Sequence, residues 1–206
     1  MTLKELRQEC LNCRRCQVGG RTVDGCPVNV FSNMNEKAKL MVVGQNPGYD
    51  EVLQGEPFVG ASGQFFEQAF KERTGMGRDD IYISNVVRCF TPGNRKPYQS
   101  ELENCRWFLD KEIELLKPKL IVALGSPALW QLTGLSGISK HRGEPTFSLR
   151  YRVVVIGAFH PSPYNMQDDT IRRQFMEDLD VVKQVWGELE REGVSGFVAG
   201  LLHEGQ

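Results

Sequence analysis

Cysteine is the residue type whose number and spacing in this chain most directly suggest chemistry. Six of the 206 residues are cysteines. Cys13 and Cys16 form a Cys-x-x-Cys pair in "NCRRCQVGG", and Cys89 and Cys105 follow much later, separated by fifteen residues. Four thiolates from two chain segments can hold a tetrahedral metal ion or an iron–sulfur cluster. Zinc sites commonly use two tight pairs, so this spacing leaves zinc, a cluster and unligated core cysteines all open.

The other cysteines, Cys10 and Cys26, have less defined partners. Cys10 makes a second Cys-x-x-Cys with Cys13, so the pairing from sequence is ambiguous. In a reducing compartment, clustered cysteines serve metal binding or catalysis more often than they form disulfides. We interpret Cys10 and Cys26 as small buried hydrophobic residues.

Polar, glycine-rich loops follow several apolar runs. The loop "GQNPG" (44–48) has glycines that permit a tight turn and presents the amides of Gln45 and Asn46. It lacks the Lys-Ser/Thr of a P-loop and the GxGxxG of a dinucleotide site. By itself, such a cluster is more often a turn than a binding site.

Three single residues in or beside such loops have side chains suited to a nucleobase. Phe58 lies between glycine-bracketed turns and could stack on a base, or simply fill the core. Asn85 has an amide that donates and accepts, so it could read a base edge, or serve as a turn residue. His160, in "FHPSPYN", could polarise or protonate a substrate, or bond only to the backbone.

The hydrophobic pattern predicts the elements that must position these residues. It predicts helices over 3–12, 64–73, 100–116, 126–132 and 168–191, and strands over 37–44, 81–87, 119–125 and 151–160. Ser100 and Glu103 are spaced as a capping box for the third helix.

Alternation of strands and helices predicts an α/β fold, a three-layer α/β/α sandwich with a central, mostly parallel four-stranded sheet. Ligands of such sheets bind at the carboxyl ends of the strands. We expect a single domain over 1–192 that includes the N-terminal cysteine segment, and a flexible glycine-rich tail over 193–206.

Composition narrows the setting of the protein. No apolar run approaches the roughly 20 residues that span a bilayer, and the start "MTLKELRQEC" has no apolar signal region. We therefore expect a cytoplasmic protein that is not bound to a membrane. The formal net charge of −1 does not indicate a nucleic-acid binder, although an acidic remainder can mask a basic face.

Taken together and in order, these segments resemble uracil-DNA glycosylases, most closely the iron–sulfur family 4. The resemblance covers roughly residues 10–180 and rests on C-x2-C (13, 16), "VVGQNPG", "G-x-PFVG-x-x-G" (55–63), "Y-x-SN-x-V-x-C" (82–89), "NR-x-P" (94–97), "NC" (104–105), "LIVALG" (120–125) and "HPS" (160–162). It implies a DNA-repair enzyme that excises uracil. It also implies a structural 4Fe–4S cluster ligated by Cys13, Cys16, Cys89 and Cys105.

The catalytic loops depart from family 4. The family has an acidic residue where this chain has Gln45, and Asn46 makes the motif similar to the GINPG and GMNPG forms of the mismatch-specific and single-strand-selective branches. "HPSPYN" is also closer to those branches. The change removes the evident water-activating carboxylate. As a competing hypothesis, Asp50 or Glu51 just after the motif could supply one. Covalent trapping on uracil DNA, which a related family performs with a loop histidine, is not expected because "FTPGNRKPYQS" has no histidine.

The resemblance assigns roles in a base-flipping mechanism. Phe58 would stack on the uracil and Asn85 would bond to its polar edge, while His160 and the backbone of the 44–48 loop would stabilise the departing anion. Asn46 would position the water. The loop residues that complete the catalytic and substrate-binding set are Gln45, Gly44, Gly48 and Tyr49.

DNA contacts are expected around the same loops. Tyr164, Asn165 or Met166 would wedge into the duplex, next to Ser162. The basic residues proposed to contact phosphates are Arg14, Arg15, Arg88, Arg95, Lys96, Lys140 and Arg142.

The leading hypothesis is thus a monofunctional uracil-DNA glycosylase that acts as a monomer on single- or double-stranded DNA. Three alternatives stay open. They are a glycosylase for hypoxanthine or another deaminated base, a protein that binds uracil-containing DNA without turnover, and a zinc-stabilised α/β nucleotide-binding enzyme.

Overall fold

The computed structural model describes residues 1–203 of the chain. In chain order, its regular elements are α1 (Leu3–Leu11), β1 (Thr22–Val23), β2 (Cys26–Pro27), β3 (Leu40–Gly44), α2 (Tyr49–Gln54), α3 (Ala61–Thr74), β4 (Ile81–Asn85), α4 (Gln99–Leu116), β5 (Leu120–Leu124), α5 (Ser126–Thr133), α6 (Ile138–His141), β6 (Pro145–Ser148), β7 (Val153–Ala158), α7 (Pro163–Gln167) and α8 (Asp169–His203). Short 3₁₀ turns cover Arg78–Asp80 and Pro92–Asn94.

The main sheet has the strand order β4-β3-β5-β7-β6. The first four of these strands pair in parallel, and β6 pairs antiparallel with β7. The two residues of β1 and the two of β2 form a separate antiparallel pair. The predicted α/β class and mostly parallel sheet are therefore confirmed.

Helices cover both faces of the sheet. Successive residues of a strand point to opposite faces, so alternate apolar residues of each buried strand pack against helices on opposite sides. On one face, Met41 and Val43 of β3 pack in a core with residues of α1, α4 and α5. On the other face, Leu40 and Val42 pack with residues of α3 and α8. The continuous burial of β3 follows from this double coverage and explains its unbroken apolar sequence.

The predicted strand count of the sheet is wrong, since the structure has a fifth strand, β6. This strand begins with Pro145 and lies at the sheet edge. Proline cannot donate to a strand ladder and is confined to positions such as an edge, so its presence hid a short strand from the sequence pattern.

The predicted capping box of α4 is also wrong. Tyr98 is the N-cap, and its backbone N–H donates to the carboxylate of Glu101 at 2.8 Å. Ser100 lies inside the helix. The segment after Gly48 forms the short helix α2, which was not among the predicted helices.

The C-terminal segment is helical as far as the structure describes it. Helix continues to His203 past a kink at Gly193, whose φ is 71°, and Phe197 is buried against α3 and the sheet core. A flexible tail was expected from residue 193; residues 204–206 of it lie outside the described residues. The domain limits stay a prediction.

Within the part of the chain that the structure describes, no helix has both the length and the apolar character needed to cross a lipid bilayer.

Candidate functional site

A cavity of about 260 Å³ opens at the carboxyl ends of the parallel strands. Gly44 ends β3, Asn85 ends β4, and His160 follows β7, so the topology brings three distant segments to one edge of the sheet. The side chains and loop residues that line the cavity are Gln45, Asn46, Pro47, Gly48, Tyr49, Asp50, Glu51, Phe58, Gly60, Ala61, Ser62, Gly63, Asn85, Asn94 and His160.

Phe58 forms one wall of the cavity with an unusual backbone. Its φ is 61°, a left-handed conformation that bulky residues rarely adopt. The ring meets Phe66 edge-on with centroids 5.8 Å apart, and Gly63 lies directly against the Phe58 backbone. These contacts fix the position of the ring of Phe58, the residue predicted to stack on the base.

Asn85 lies at the bottom of the cavity, with only 2% of its surface exposed. A Cβ on Gly44 would come within 2.5 Å of Asn85 Oδ1 and 2.7 Å of Phe58 Cζ, so both side chains close over the bare glycine. The Asn85 side chain lines the cavity beside the Phe58 ring. A buried amide needs hydrogen-bond partners, and a ligand in the cavity can supply them.

The 44–48 loop carries a small amide network. Gln45 Nε2 donates to Asn46 Oδ1 at 2.8 Å, and Asn46 Nδ2 donates to the Pro47 carbonyl at 2.9 Å and to Asn94 Oδ1 at 3.2 Å. The Asn46 amide is thereby oriented, while its oxygen keeps a second lone pair. Asn94, which the sequence did not single out as a lining residue, completes this network.

Glu51 is engaged by the backbone of two loops. Its carboxylate accepts from the Gly48 N–H at 2.9 Å and from the Gly60 N–H at 2.8 Å. It is nearly buried, with 9% of its surface exposed. This carboxylate thus clamps the 44–48 loop to the Phe58 loop, and of the two proposed substitute carboxylates only Asp50 is left exposed at the cavity.

His160 is half-buried on the wall of the cavity. Its carbonyl accepts from Asn165 Nδ2 and from the Ser162 N–H, both at 2.8 Å, which fixes the backbone of the loop. Burial lowers the pKa of the imidazole below its ordinary value of 6.5, and the nearby Glu51 carboxylate opposes the shift only in part. The ring is therefore neutral at pH 7 and donates one N–H.

The three wedge candidates occupy different environments. Tyr164 is 84% exposed on α7, close to the cavity loop. Asn165 is committed to the His160 carbonyl. Met166 is 8% exposed and packs in the core, so its proposed wedge role is wrong. Ser162 caps α7 by accepting from the Asn165 N–H.

The basic residues divide by environment. Arg88 is fully buried and bonds to Glu112 and Ser84, so its proposed phosphate contact is wrong. Arg142 donates to Asp178 and to the Gln174 carbonyl. The phosphate contacts of the other basic residues stay predictions. Exposed residues in this group are Arg14, Arg15, Lys96 and Lys140.

Two further predicted site residues already have protein partners. Arg95 forms a two-bond pair with Glu101, at 2.7 and 2.9 Å. The Tyr49 hydroxyl donates to the carboxylate of Asp24 in the β1–β2 turn. That contact connects the cysteine-rich N-terminal segment to the cavity loop, and no pattern in the sequence indicated it.

The four predicted cysteine ligands converge from separate segments. Cys89 is tied to the N-terminal segment by a bridge to Asn29 and packs with Cys16, while Cys13 packs against the core that contains Cys105. All are free thiols. Burial raises the pKa of Cys105 to about 11, with Cys16 and Cys13 adding to the increase. Cys10 belongs to the same group and is fully buried.

The free thiols provide the type of donor atom that a metal centre uses. In residues 1–203, no three cysteine, histidine, aspartate or glutamate side chains are already arranged around a metal position. The donor chemistry nevertheless fits, because the four cysteines come from separate segments that pack together, and cysteine sulfurs are the usual ligands of zinc and of iron–sulfur clusters. Cys26 lies apart, in the β1–β2 pair.

A family model that describes the uracil-DNA glycosylase superfamily matches residues 31–189. The chain belongs to the uracil-DNA glycosylase superfamily. The match includes the cavity loops at 44–48, 58–63 and 160–165, whose geometry was described above. The resemblance read from the ordered motifs is therefore confirmed.

Relatives within the superfamily are similar over almost the whole chain. The Type-4 uracil-DNA glycosylase of Sulfurisphaera tokodaii is 30% identical over 97% of this chain and 91% of its own length. The Type-4 enzyme of Archaeoglobus fulgidus is 32% identical, with 90% and 94% covered. The Type-4 enzyme of Thermotoga maritima is 36% identical, with 82% and 90% covered.

Proposed function

We propose that this chain is a monofunctional uracil-DNA glycosylase, which hydrolyses the N-glycosidic bond of a uracil nucleotide rotated out of DNA and leaves an abasic site. The observation that carries the proposal is the Asn85 amide, buried beside the Phe58 ring in a cavity of about 260 Å³. An amide facing an aromatic wall is suited to the edge and face of a pyrimidine. The Type-4 names of the relatives agree with this chemistry.

Recognition follows from the polar atoms of the base. Uracil presents an N–H donor at position 3 and a carbonyl acceptor at position 4, which one amide can satisfy together. Cytosine presents an amino donor at position 4. An Asn85 amide in the same orientation would place its own N–H donor against that amino group. Phe58 stacks on the face of the ring, and its fixed backbone keeps the slot narrow.

The C1′–N1 bond breaks with its electron pair moving to the base, so uracil leaves as an anion. The neutral imidazole of His160 donates to that anion, together with backbone N–H groups of the 44–48 loop. A preorganised donor of this kind contributes roughly 3–4 kcal/mol to the transition state. Burial lowers the pKa of His160 and keeps its imidazole uncharged. The ring therefore stabilises the anion by a hydrogen bond from its N–H and not by a positive charge.

Water then adds to C1′ of the oxocarbenium-like sugar and its proton is lost to solvent or to the departing base. Asn46 Oδ1, held in place by Gln45, accepts from this water through its remaining lone pair. Attack on such a cation depends on positioning more than on deprotonation. The amide pair thus takes the place of the carboxylate that family 4 has at position 45.

We further propose that Cys13, Cys16, Cys89 and Cys105 hold a 4Fe–4S cluster with a structural role. When bound, it would join the N-terminal loop to the segment after β4 and supply no step of base excision. DNA is the proposed partner, with Tyr164 as the exposed wedge and Lys96 at a backbone phosphate. The monomeric state and the cytoplasmic location stay predictions.

The test is an excision assay on single- and double-stranded oligonucleotides with one uracil, followed by alkaline cleavage of abasic sites. Parallel substrates carry hypoxanthine or cytosine. We expect uracil excision by the wild type, and a loss of about 5- to 100-fold in kcat/KM for Asn85→Asp, which lacks the donor to O4. Leu149→Ala is a control, since Leu149 is 86% exposed on the turn between β6 and β7.

Tight uracil-dependent binding without cleavage would overturn the catalytic proposal in favour of a binding protein. Cleavage of hypoxanthine but not of uracil would overturn the substrate.

A further inference from the structure

Tyr98 is the most conspicuous exposed aromatic residue outside the described cavity and α7. Its surface is 61% exposed, at the N-cap of α4. The guanidinium carbon of Arg95 lies 3.7 Å from the ring centroid, so Arg95 covers one face. The high exposure of the residue leaves the other face of the ring to solvent.

The pair is held rigidly by one buried carboxylate. Glu101, 5% exposed, accepts two hydrogen bonds from Arg95 and a third from the Tyr98 backbone N–H at 2.8 Å. The side-chain hydrogen bond and the charge of Arg95, with the Tyr98 N–H, hold the pKa of Glu101 below its ordinary value. The arrangement is a preformed platform that loses little entropy when a planar ligand stacks on it.

The platform adjoins the proposed uracil site through a single turn. Arg95 and Pro92 line a second cavity of about 490 Å³, together with Tyr98 and the exposed Arg21. Asn94, between them, lines the first cavity and bonds to Asn46 at 3.2 Å. Three residues lie between Asn94 and Tyr98, so their Cα atoms are at most about 14 Å apart. A DNA strand with its base in the first cavity therefore passes near the second.

We propose that Tyr98, backed by Arg95, stacks on the base of an unpaired nucleotide that flanks the flipped uracil. This inference rests on the proposed function and deepens it. Because Glu101 already neutralises Arg95, the guanidinium supports the ring rather than serving as a free phosphate contact. Base–aromatic stacking tolerates any sequence, because every base has a π-face. The flanking base is free to stack only when it is not paired, so the platform favours single-stranded DNA.

The first experiment compares Tyr98→Ala, Tyr98→Phe and the control Leu149→Ala on single-stranded and duplex uracil substrates. Tyr98→Ala keeps the backbone N–H that Glu101 binds, and its melting temperature is measured alongside. We expect Tyr98→Ala to raise KM for the single strand by about 5- to 100-fold with kcat unchanged. KM for the duplex should change much less. Tyr98→Phe and Leu149→Ala should match the wild type.

The second experiment places 2-aminopurine at each of three positions on either side of the uracil and follows its fluorescence on binding. Stacking quenches the fluorophore at one flanking position in the wild type and in Tyr98→Phe, but not in Tyr98→Ala. An unchanged KM in Tyr98→Ala, or quenching that survives the substitution, would overturn the inference. A wild type that binds but does not excise would overturn the proposed function alone, since the fluorescence requires no turnover.

Discussion

Replacement of Gly44 by alanine tests the geometry of the proposed base site most directly. The added Cβ would lie 2.5 Å from Asn85 Oδ1 and 2.7 Å from Phe58 Cζ. Normal contacts are at roughly 3.5 Å, so one or both side chains must move by about 1 Å. Asn85 is buried and the Phe58 ring packs edge-on against Phe66, so a shift of either side chain moves it into the space proposed for the base. A misplacement of this size costs about 100-fold in the rate of the chemical step.

The assay is single-turnover excision of uracil under saturating enzyme, which reports the chemical step without product release. Gly187→Ala is the matched control, because a Cβ there would meet only the flexible end of Arg191, at 3.5 Å in α8. Thermal melting of both variants separates a moved side chain from an unfolded protein. If folded Gly44→Ala excises uracil at the wild-type rate, then Gly44, Asn85 and Phe58 do not form the base site.

Two other predictions follow from the titration of the site and from its proposed cofactor. Burial holds the pKa of His160 below 6.5, so the imidazole is neutral above that pH. Any inflection that His160 causes in the pH dependence of the excision rate should therefore lie below pH 6.5. A His160 pKa above 6.5 in an NMR titration would contradict this prediction. If Cys105 is a cluster ligand, the purified wild type should contain about four iron atoms and absorb at roughly 400 nm. The Cys105→Ser variant should lose the iron and the absorbance, and it should melt at a lower temperature than the wild type. A colourless wild type that contains zinc would instead favour the zinc alternative.

The sequence predicted the part of the site that follows from strand ends. Gly44, Asn85 and His160 each come directly at or after a buried apolar run, and parallel strands bring such positions to one edge. The backbone conformation of Phe58 could not be predicted, because nothing in the surrounding sequence indicates a φ of 61° at this residue.

The roles of charged residues were harder to predict, since charge alone does not show burial. Arg88 resembles a phosphate ligand in sequence, yet Glu112 lies opposite it in the core, 24 residues away in the chain. Arg142 is likewise engaged by α8, through Asp178 and the Gln174 carbonyl. In both cases the deciding partner comes from a helix packed on the sheet, so only the tertiary fold reveals it.

The clamp formed by Glu51 limits how this protein could be re-engineered. Its two oxygens join Gly48 and Gly60, so the 44–48 loop and the Phe58 loop are linked to each other. A loop transplanted from another branch of the superfamily would leave these backbone donors without their acceptor unless residue 51 and both glycines came with it. In the proposed mechanism, base preference and hydrolytic rate are therefore coupled through Glu51. A designer, or a lineage under selection, must exchange both loops in a single step.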